Sequence, residues 1–166
     1  LVTVQSIIDL ARQFADDFDD EALAIDAVIL TFVNLAYGKY YDKLVSADPA
    51  YYQTSANVNT VAGTKTVALP DTWLRTVHVD ILESGTTYDD LDRLSVHERL
   101  HYQENGKPCR YQLEGAALAL YPTPDAVYTI RHTFIPTWTT LTAGATTIDG
   151  LFGHEELIAL EVCIML

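Results

Sequence analysis

The chain has 166 residues, of which 49% are hydrophobic, enough to build the packed core of one domain or of one domain with a small insertion. Asp and Glu total 23 against 10 Lys and Arg, and the resulting net charge of −13 disfavours a protein that grips nucleic-acid phosphates. No apolar run is long enough to cross a membrane and no secretory signal precedes one, so a soluble, non-secreted protein is predicted. Cys109 and Cys163 lack CxxC spacing and are expected to be reduced.

A first helix is predicted over residues 3–16, where apolar side chains recur at helical spacing. Thr3 is the expected N-cap. The acidic segment 16–21 follows and lacks the residue spacing of an EF-hand calcium loop. It is therefore predicted to be a solvated loop whose last acids favour the start of the next helix.

A second, longer helix is predicted over residues 21–47. Between positions 22 and 37 its only polar residues are Asp26, Thr31 and Asn34. A helix with a single buried face carries more polar residues than this. We therefore expect this helix to bury more than one face, against its own domain and, in an oligomer, against a neighbouring copy.

The middle of the chain changes to the period of two that is typical of β-strands. Val, Thr and aromatic residues alternate there between turns that contain Gly or Pro. Six short antiparallel strands are predicted, at 51–58, 64–69, 73–82, 110–115, 116–122 and 127–136. A short helix over 95–104 and a turn at 123–125 are predicted between them, and a final helix over 151–166.

This order predicts an α+β fold, in which a helical bundle carries an inserted antiparallel β-rich subdomain. The bundle comprises the two amino-terminal helices and the carboxyl-terminal helix. The predicted boundaries are 1–49 for the first helical part, 50–140 for the inserted subdomain and 141–166 for the last helix.

The string HERLH, at residues 97–101, matches the H-E-x-x-H motif of zinc peptidases. In such a site His97 and His101 would bind the metal from one helix face and Glu98 would act as general base. Ser95 and Glu98 also fit a capping box, which explains the glutamate without a metal. The short helix and its charged neighbours favour the capping box, so neither catalytic nor metal-binding residues are predicted, and no cofactor. A zinc-dependent hydrolase remains the alternative.

A second alternative is a β-rich module that binds glycans or proteins. Ten Tyr and two Trp residues could line such a surface. Aromatic residues are also enriched in ordinary strands, where they are half-buried. Sequence motifs of serine hydrolases and of phosphate-binding glycine loops are absent.

The layout resembles the head-to-tail connector (adaptor) proteins of tailed bacteriophages. The resemblance rests on AIDAVILTFVNLAYGKYYDKLVS with Asn34, Ala36 and Tyr40-Tyr41, and on VAGTKTVALPDTWLR at 61–75. YQLEGAALALYPTPD at 111–125 is the most specific stretch, followed by FIPTWTTLT and IDGLFGHEELIALEVCI. These motifs cover nearly the full chain and are structural, since none of them is a catalytic signature.

The resemblance implies a non-enzymatic structural protein of the virion neck, assembled in the host cytoplasm and not associated with a membrane. Such a protein would form a ring of copies of itself, a dodecamer, between the portal protein and a tail or nozzle protein. DNA would pass through the ring without specific binding, which the acidic balance suits.

Apolar residues surround the last helix and the predicted second helix, and such surfaces need partners. In the last helix they are Leu157, Ile158, Leu160, Val162, Ile164 and Met165. The residues predicted to form the subunit or portal interface are Ile25, Ile29, Phe32, Tyr40, Tyr41, Leu157, Ile158 and Ile164.

Overall fold

The structure is a computed structural model that describes residues 2–14, 26–142, 146–148 and 153–165. The acidic segment 16–21 and Ile25 lie outside these residues. The chain divides into two compact units. We call Leu1–Pro49 with Trp138–Leu166 the helical unit, and Ala50–Thr137 the β unit. The division into domains at 49 and at 140 stays a prediction.

In its described residues, the helical unit packs three helices around one core. They are α1 (Val4–Phe14), α2 (Asp26–Ala47) and α3 (Glu155–Met165). The buried side chains of α1 are Val4, Ile7, Ile8 and Ala11, the spacing of a single helix face. The predicted cap is confirmed, since the amide of Ser6 donates a hydrogen bond to the hydroxyl of Thr3 at 3.1 Å.

Helix α2 buries a wide arc of its surface, as its few polar residues predict. The buried residues are Ile29, Val33, Ala36, Tyr37, Tyr41 and Val45. On an α-helix these positions span about half of the circumference. The arc is covered within the helical unit by α1, α3 and Trp138, whose ring lies edge-on to Tyr37 with 6.0 Å between centroids.

Asn34 of α2 holds the segment that follows the β unit. Its side-chain oxygen accepts a hydrogen bond from the amide of Leu141 at 2.8 Å. Its side-chain nitrogen donates to the carbonyl of Leu141 at 3.1 Å and to that of Leu30 at 2.9 Å. Asn34, one of the few polar residues of α2, thus binds the backbone of Leu141, which is distant in the sequence.

The β unit contains two four-stranded sheets, with strand orders β1-β10-β3-β4 and β2-β8-β7-β5, and a two-stranded pair, β6-β9. Their bounds are β1 Thr54–Asn59, β2 Thr66–Ala68, β3 Trp73–Ser84, β4 Thr87–Asp90, β5 Asp92–Arg93, β6 Asn105–Gly106, β7 Arg110–Glu114, β8 Ala117–Tyr121, β9 Thr123–Pro124 and β10 Thr129–Pro136. One apolar core joins the two larger sheets and includes Val79, Ile81 and Ile130 from the first and Leu118 and Leu120 from the second.

The predicted α+β class is confirmed, and each of the six predicted strands is present. Four short strands were missed, namely β4, β5, β6 and β9, and β9 occupies part of the predicted turn at 123–125. The segment predicted as a helix at 95–104 is a 3-10 helix, Val96–His101. Among the described residues, no helix has both the length and the apolar character that a membrane span requires.

Candidate protein–protein interface

Seven of the eight residues predicted to form an interface lie in the described part of the chain, and these seven occupy different environments. Ile29, Tyr41 and Ile158 are buried in the helical unit, with 0%, 3% and 1% of their surface exposed. Phe32 and Tyr40 are half-buried, whereas Leu157 and Ile164 are 55% and 86% exposed. The three buried side chains stabilise the chain itself and cannot be reached at its surface. The accessible part of the predicted set is therefore Phe32, Tyr40, Leu157 and Ile164.

Helix α3 has apolar residues on two opposite faces. Ile158, Ala159 and Val162 point into the core of the helical unit. Leu157, Leu160 and Ile164 follow one another at intervals of three and four residues and are 55%, 45% and 86% exposed. These intervals place them in one row along the other side of the helix. We call this row the outer α3 stripe.

Charged residues border the outer α3 stripe. Lys39 of α2 forms an ion pair with Glu161 of α3, with 2.8 Å between Nζ and Oε1. Leu35 lies one helical turn before Lys39 on the same face of α2 and is 53% exposed. An apolar centre with a charged border is the usual organisation of a protein–protein contact surface.

Tyr40 connects α2 to the beginning of α3. Its ring centroid lies 6.3 Å from that of His154, the residue before α3. Burial raises the pKa of the Tyr40 hydroxyl above its ordinary value of 10.0. The same cause, with the nearby charge of Asp42 as a smaller contribution, raises the pKa of Tyr41. Both tyrosines therefore stay neutral at physiological pH.

The geometry of HERLH does not support the zinc-hydrolase alternative. The expectation that His97 and His101 share a helix face is wrong, because the segment is a 3-10 helix. With three residues per turn, side chains four positions apart diverge by about 120° around the axis. The carboxylate of Glu98 also accepts hydrogen bonds from the amide and the hydroxyl of Ser95, at 3.1 and 2.9 Å. These bonds lower the pKa of Glu98, the opposite of what a general base requires.

Most aromatic side chains of the strands make contacts within the chain itself, which disfavours the alternative of an aromatic binding surface. Tyr111, Tyr121 and Phe134 are buried, with 8%, 4% and 3% of their surface exposed. Tyr88 lies under the guanidinium of Arg131, which is 3.9 Å from the centroid of the tyrosine ring. The three buried rings cannot line a glycan-binding face.

Among the described residues, one group of side chains could hold a metal ion. It consists of His78 and Asp80 of β3 and Asp90 of β4. The sequence did not indicate this group, because β4 was not predicted and Asp90 then had no defined neighbour. In the sequence, the only indication of β4 is one tyrosine, Tyr88, between polar residues.

The family model of the SU10 adaptor protein matches residues 2–164, and thus both the helical unit and the β unit. A search of curated proteins returned no match. A match over nearly the whole chain identifies a head-tail adaptor of bacteriophages, and the resemblance seen in the sequence is confirmed. The chain belongs to the SU10 adaptor protein family. This membership implies a structural component of the virion that contacts other head or tail proteins.

Proposed function

We propose that this adaptor forms a ring, a dodecamer as the resemblance implies, between the portal protein and a tail or nozzle protein. DNA passes through the ring, and the protein catalyses no reaction. The outer α3 stripe is the observation that carries this proposal, because a folded chain gains nothing by itself from an apolar row directed at water. Ring assembly in the host cytoplasm and incorporation into the virion neck follow from it.

Burial of the outer α3 stripe against a partner would release enough free energy to contribute to assembly. The exposed fractions of Leu157, Leu160 and Ile164 together correspond to roughly two fully exposed apolar side chains. Complete burial of one such side chain stabilises by about 1.5–3 kcal/mol, so covering the stripe contributes about 3–6 kcal/mol per copy. Multiplied around a ring, this contribution holds the copies on a common platform even when each single contact is weak.

We assign the outer α3 stripe to the portal protein, because the resemblance to connector proteins implies that the carboxyl-terminal segment docks on the portal. The contacts between copies are assigned to the exposed face of α2, where Phe32 and Leu35 lie. Ile25 stays in the proposed interface between copies. The net charge of −13 supports passage of DNA, because an acidic wall repels the phosphates and releases no counterions.

The substitution Ile164→Asp tests the assignment. It places a charge on the most exposed residue of the outer α3 stripe, whose side chain is 86% exposed, so the fold should be retained. Val127→Asp is the matched control, since Val127 is also apolar and 68% exposed but lies in the β unit. Both variants are mixed with the purified portal protein of the same phage and followed by light scattering and negative-stain microscopy.

The wild-type protein and Val127→Asp are expected to form rings on the portal, and Ile164→Asp to remain free. Two results would overturn the proposal. In the first, Ile164→Asp binds the portal as tightly as the wild type. In the second, the wild-type protein neither forms rings nor binds the portal.

A further inference from the structure

The group His78, Asp80 and Asp90 lies on one face of the sheet that contains β3 and β4. His78 and Asp80 are two residues apart in β3 and therefore point to the same side. Asp90 is the direct cross-strand partner of Asp80. Nε2 of His78 lies 2.5 Å from Oδ1 of Asp80, and Nδ1 lies 3.5 Å from Oδ1 of Asp90.

Two carboxylates directly opposite each other on neighbouring strands destabilise a sheet unless a cation separates them. Arg131, the partner of Asp80 on β10, supplies one cation, with Nε and Nη2 each 2.8 Å from Oδ2 of Asp80. This contact leaves Oδ1 of Asp80 directed at the imidazole. The buried Asp80 is thus paired with Arg131, whereas the second carboxylate, that of Asp90, faces the imidazole of His78 and is 60% exposed.

We propose that His78, Asp80 and Asp90 bind a divalent transition-metal ion of the Zn²⁺ class. One ligand atom from each residue lies within 4.8 Å of the other two. Zinc–ligand bonds of about 2.0–2.1 Å place tetrahedral ligands about 3.4 Å apart. The two carboxylates face different nitrogens of the His78 ring, at 2.5 and 3.5 Å, so a bound ion would take one of these nitrogens. The side chains of His78 and Asp90 are 45% and 60% exposed and can turn toward the ion, while Arg131 holds Asp80.

The set of donors selects the metal. One imidazole and two carboxylates suit Zn²⁺ and its neighbours in the transition series, whereas Mg²⁺ and Ca²⁺ require more oxygen ligands. Arg131 holds the second oxygen of Asp80 and thereby fixes the orientation of that ligand, as outer-sphere partners do in metal sites. Three protein ligands leave one coordination position for water.

The ion would join an edge strand to the sheet. Strand β4 has four residues and pairs only with β3 among the described strands. Because the ligands come from both strands, a bound ion ties β4 to β3 at the end of β4 remote from the turn at Gly85. This site lies in the β unit and does not depend on the proposed contact with the portal.

The test uses the full chain after removal of metals with a chelator. Titration with ZnCl₂ by calorimetry, and with CoCl₂ by visible absorption, should give one equivalent of saturable binding and the absorption of a four-coordinate cobalt ion. His78→Gln and Asp90→Asn are each expected to weaken binding at least tenfold. Asp89→Asn is the matched control, because it removes the same charge from the adjacent residue on the opposite face of β4.

A double variant, His97→Gln with His101→Gln, separates this site from the HERLH segment and should bind zinc as the wild type does. Circular dichroism confirms that each variant is folded, and Asp90→Asn is the safer of the two test variants because Asp90 is 60% exposed. The proposal is overturned if the wild type binds no better than Asp90→Asn. It is equally overturned if only the double variant loses binding. An imidazole that only hydrogen-bonds the two carboxylates, without a metal, would give the first of these results.

Discussion

Asn34→Ala should destabilise the helical unit by about 2 kcal/mol. The side chain of Asn34 exchanges two hydrogen bonds with the backbone of Leu141, at 2.8 and 3.1 Å. Each such bond contributes about 0.5–1.5 kcal/mol, and both peptide groups lose their partner when the amide is removed. The third bond, to the carbonyl of Leu30, adds little because that carbonyl also belongs to the hydrogen-bond ladder of α2.

Thr31→Ala provides the matched control. Thr31 lies one turn earlier in α2, is exposed, and donates its hydroxyl hydrogen only to the carbonyl of Ala27 in its own helix. We expect this variant to lie within about 0.5 kcal/mol of the wild type. The free energy of unfolding is measured by urea denaturation and tryptophan fluorescence, in which Trp138 reports on the helical unit and Trp73 on the β unit.

Hydrogen exchange gives an independent measurement at the same contact. The amide of Leu141 should lose its protection in Asn34→Ala and keep it in Thr31→Ala. A stabilising role of the Asn34 side chain is refuted if Asn34→Ala unfolds at the same urea concentration as Thr31→Ala with the same slope. It is also refuted if the Leu141 amide exchanges at the wild-type rate in Asn34→Ala.

Three further predictions follow from burial and from hydrogen bonding. Ile158→Ala should lower the free energy of unfolding by about 3 kcal/mol, and Leu157→Ala by less than about 0.5 kcal/mol, in the same denaturation assay. Burial lowers the pKa of His132 below its ordinary value of 6.5, so the unfolded chain binds a proton that the folded β unit excludes. Stability should therefore fall as the pH drops below about 6.5, down to the lowered pKa, and His132→Gln should remove this dependence. Glu98→Ala should speed amide exchange in the 3-10 helix that Ser95 caps. If the wild type hydrolysed a substrate and this variant did not, a purely structural role of HERLH would be contradicted.

Much of the β unit could be predicted because its main strands alternate Val, Thr and aromatic residues between clear turns. Strand β4 could not, since Thr87–Asp90 contains one half-buried tyrosine among polar residues. It is an edge strand, and its pairing with β3 rather than its own composition defines it. The cluster around His78 was missed for the same reason.

The division of the predicted interface residues between the core and the surface has a different cause. Helix α3 is apolar on both sides, so its sequence alone cannot indicate which side faces inward. Contacts with α1 and α2, more than a hundred residues away, decide that Ile158 is buried and that Leu157 is exposed. The short HERLH segment posed a similar difficulty, since both 3-10 and α-helical geometry place a glutamate near the residue three positions before it.

The division of the helical unit between the two ends of the chain has a consequence for its synthesis. On the ribosome, α1 and α2 emerge first, and the β unit, a continuous segment, can be completed before α3 exists. Until then Ile29, Val33 and Ala36 lack the cover that α3 provides. A ribosome that stalls before residue 155 would therefore release a chain with a folded β unit and with the apolar faces of α1 and α2 exposed. Such a chain would be bound by chaperones or degraded by proteases, and it would not assemble.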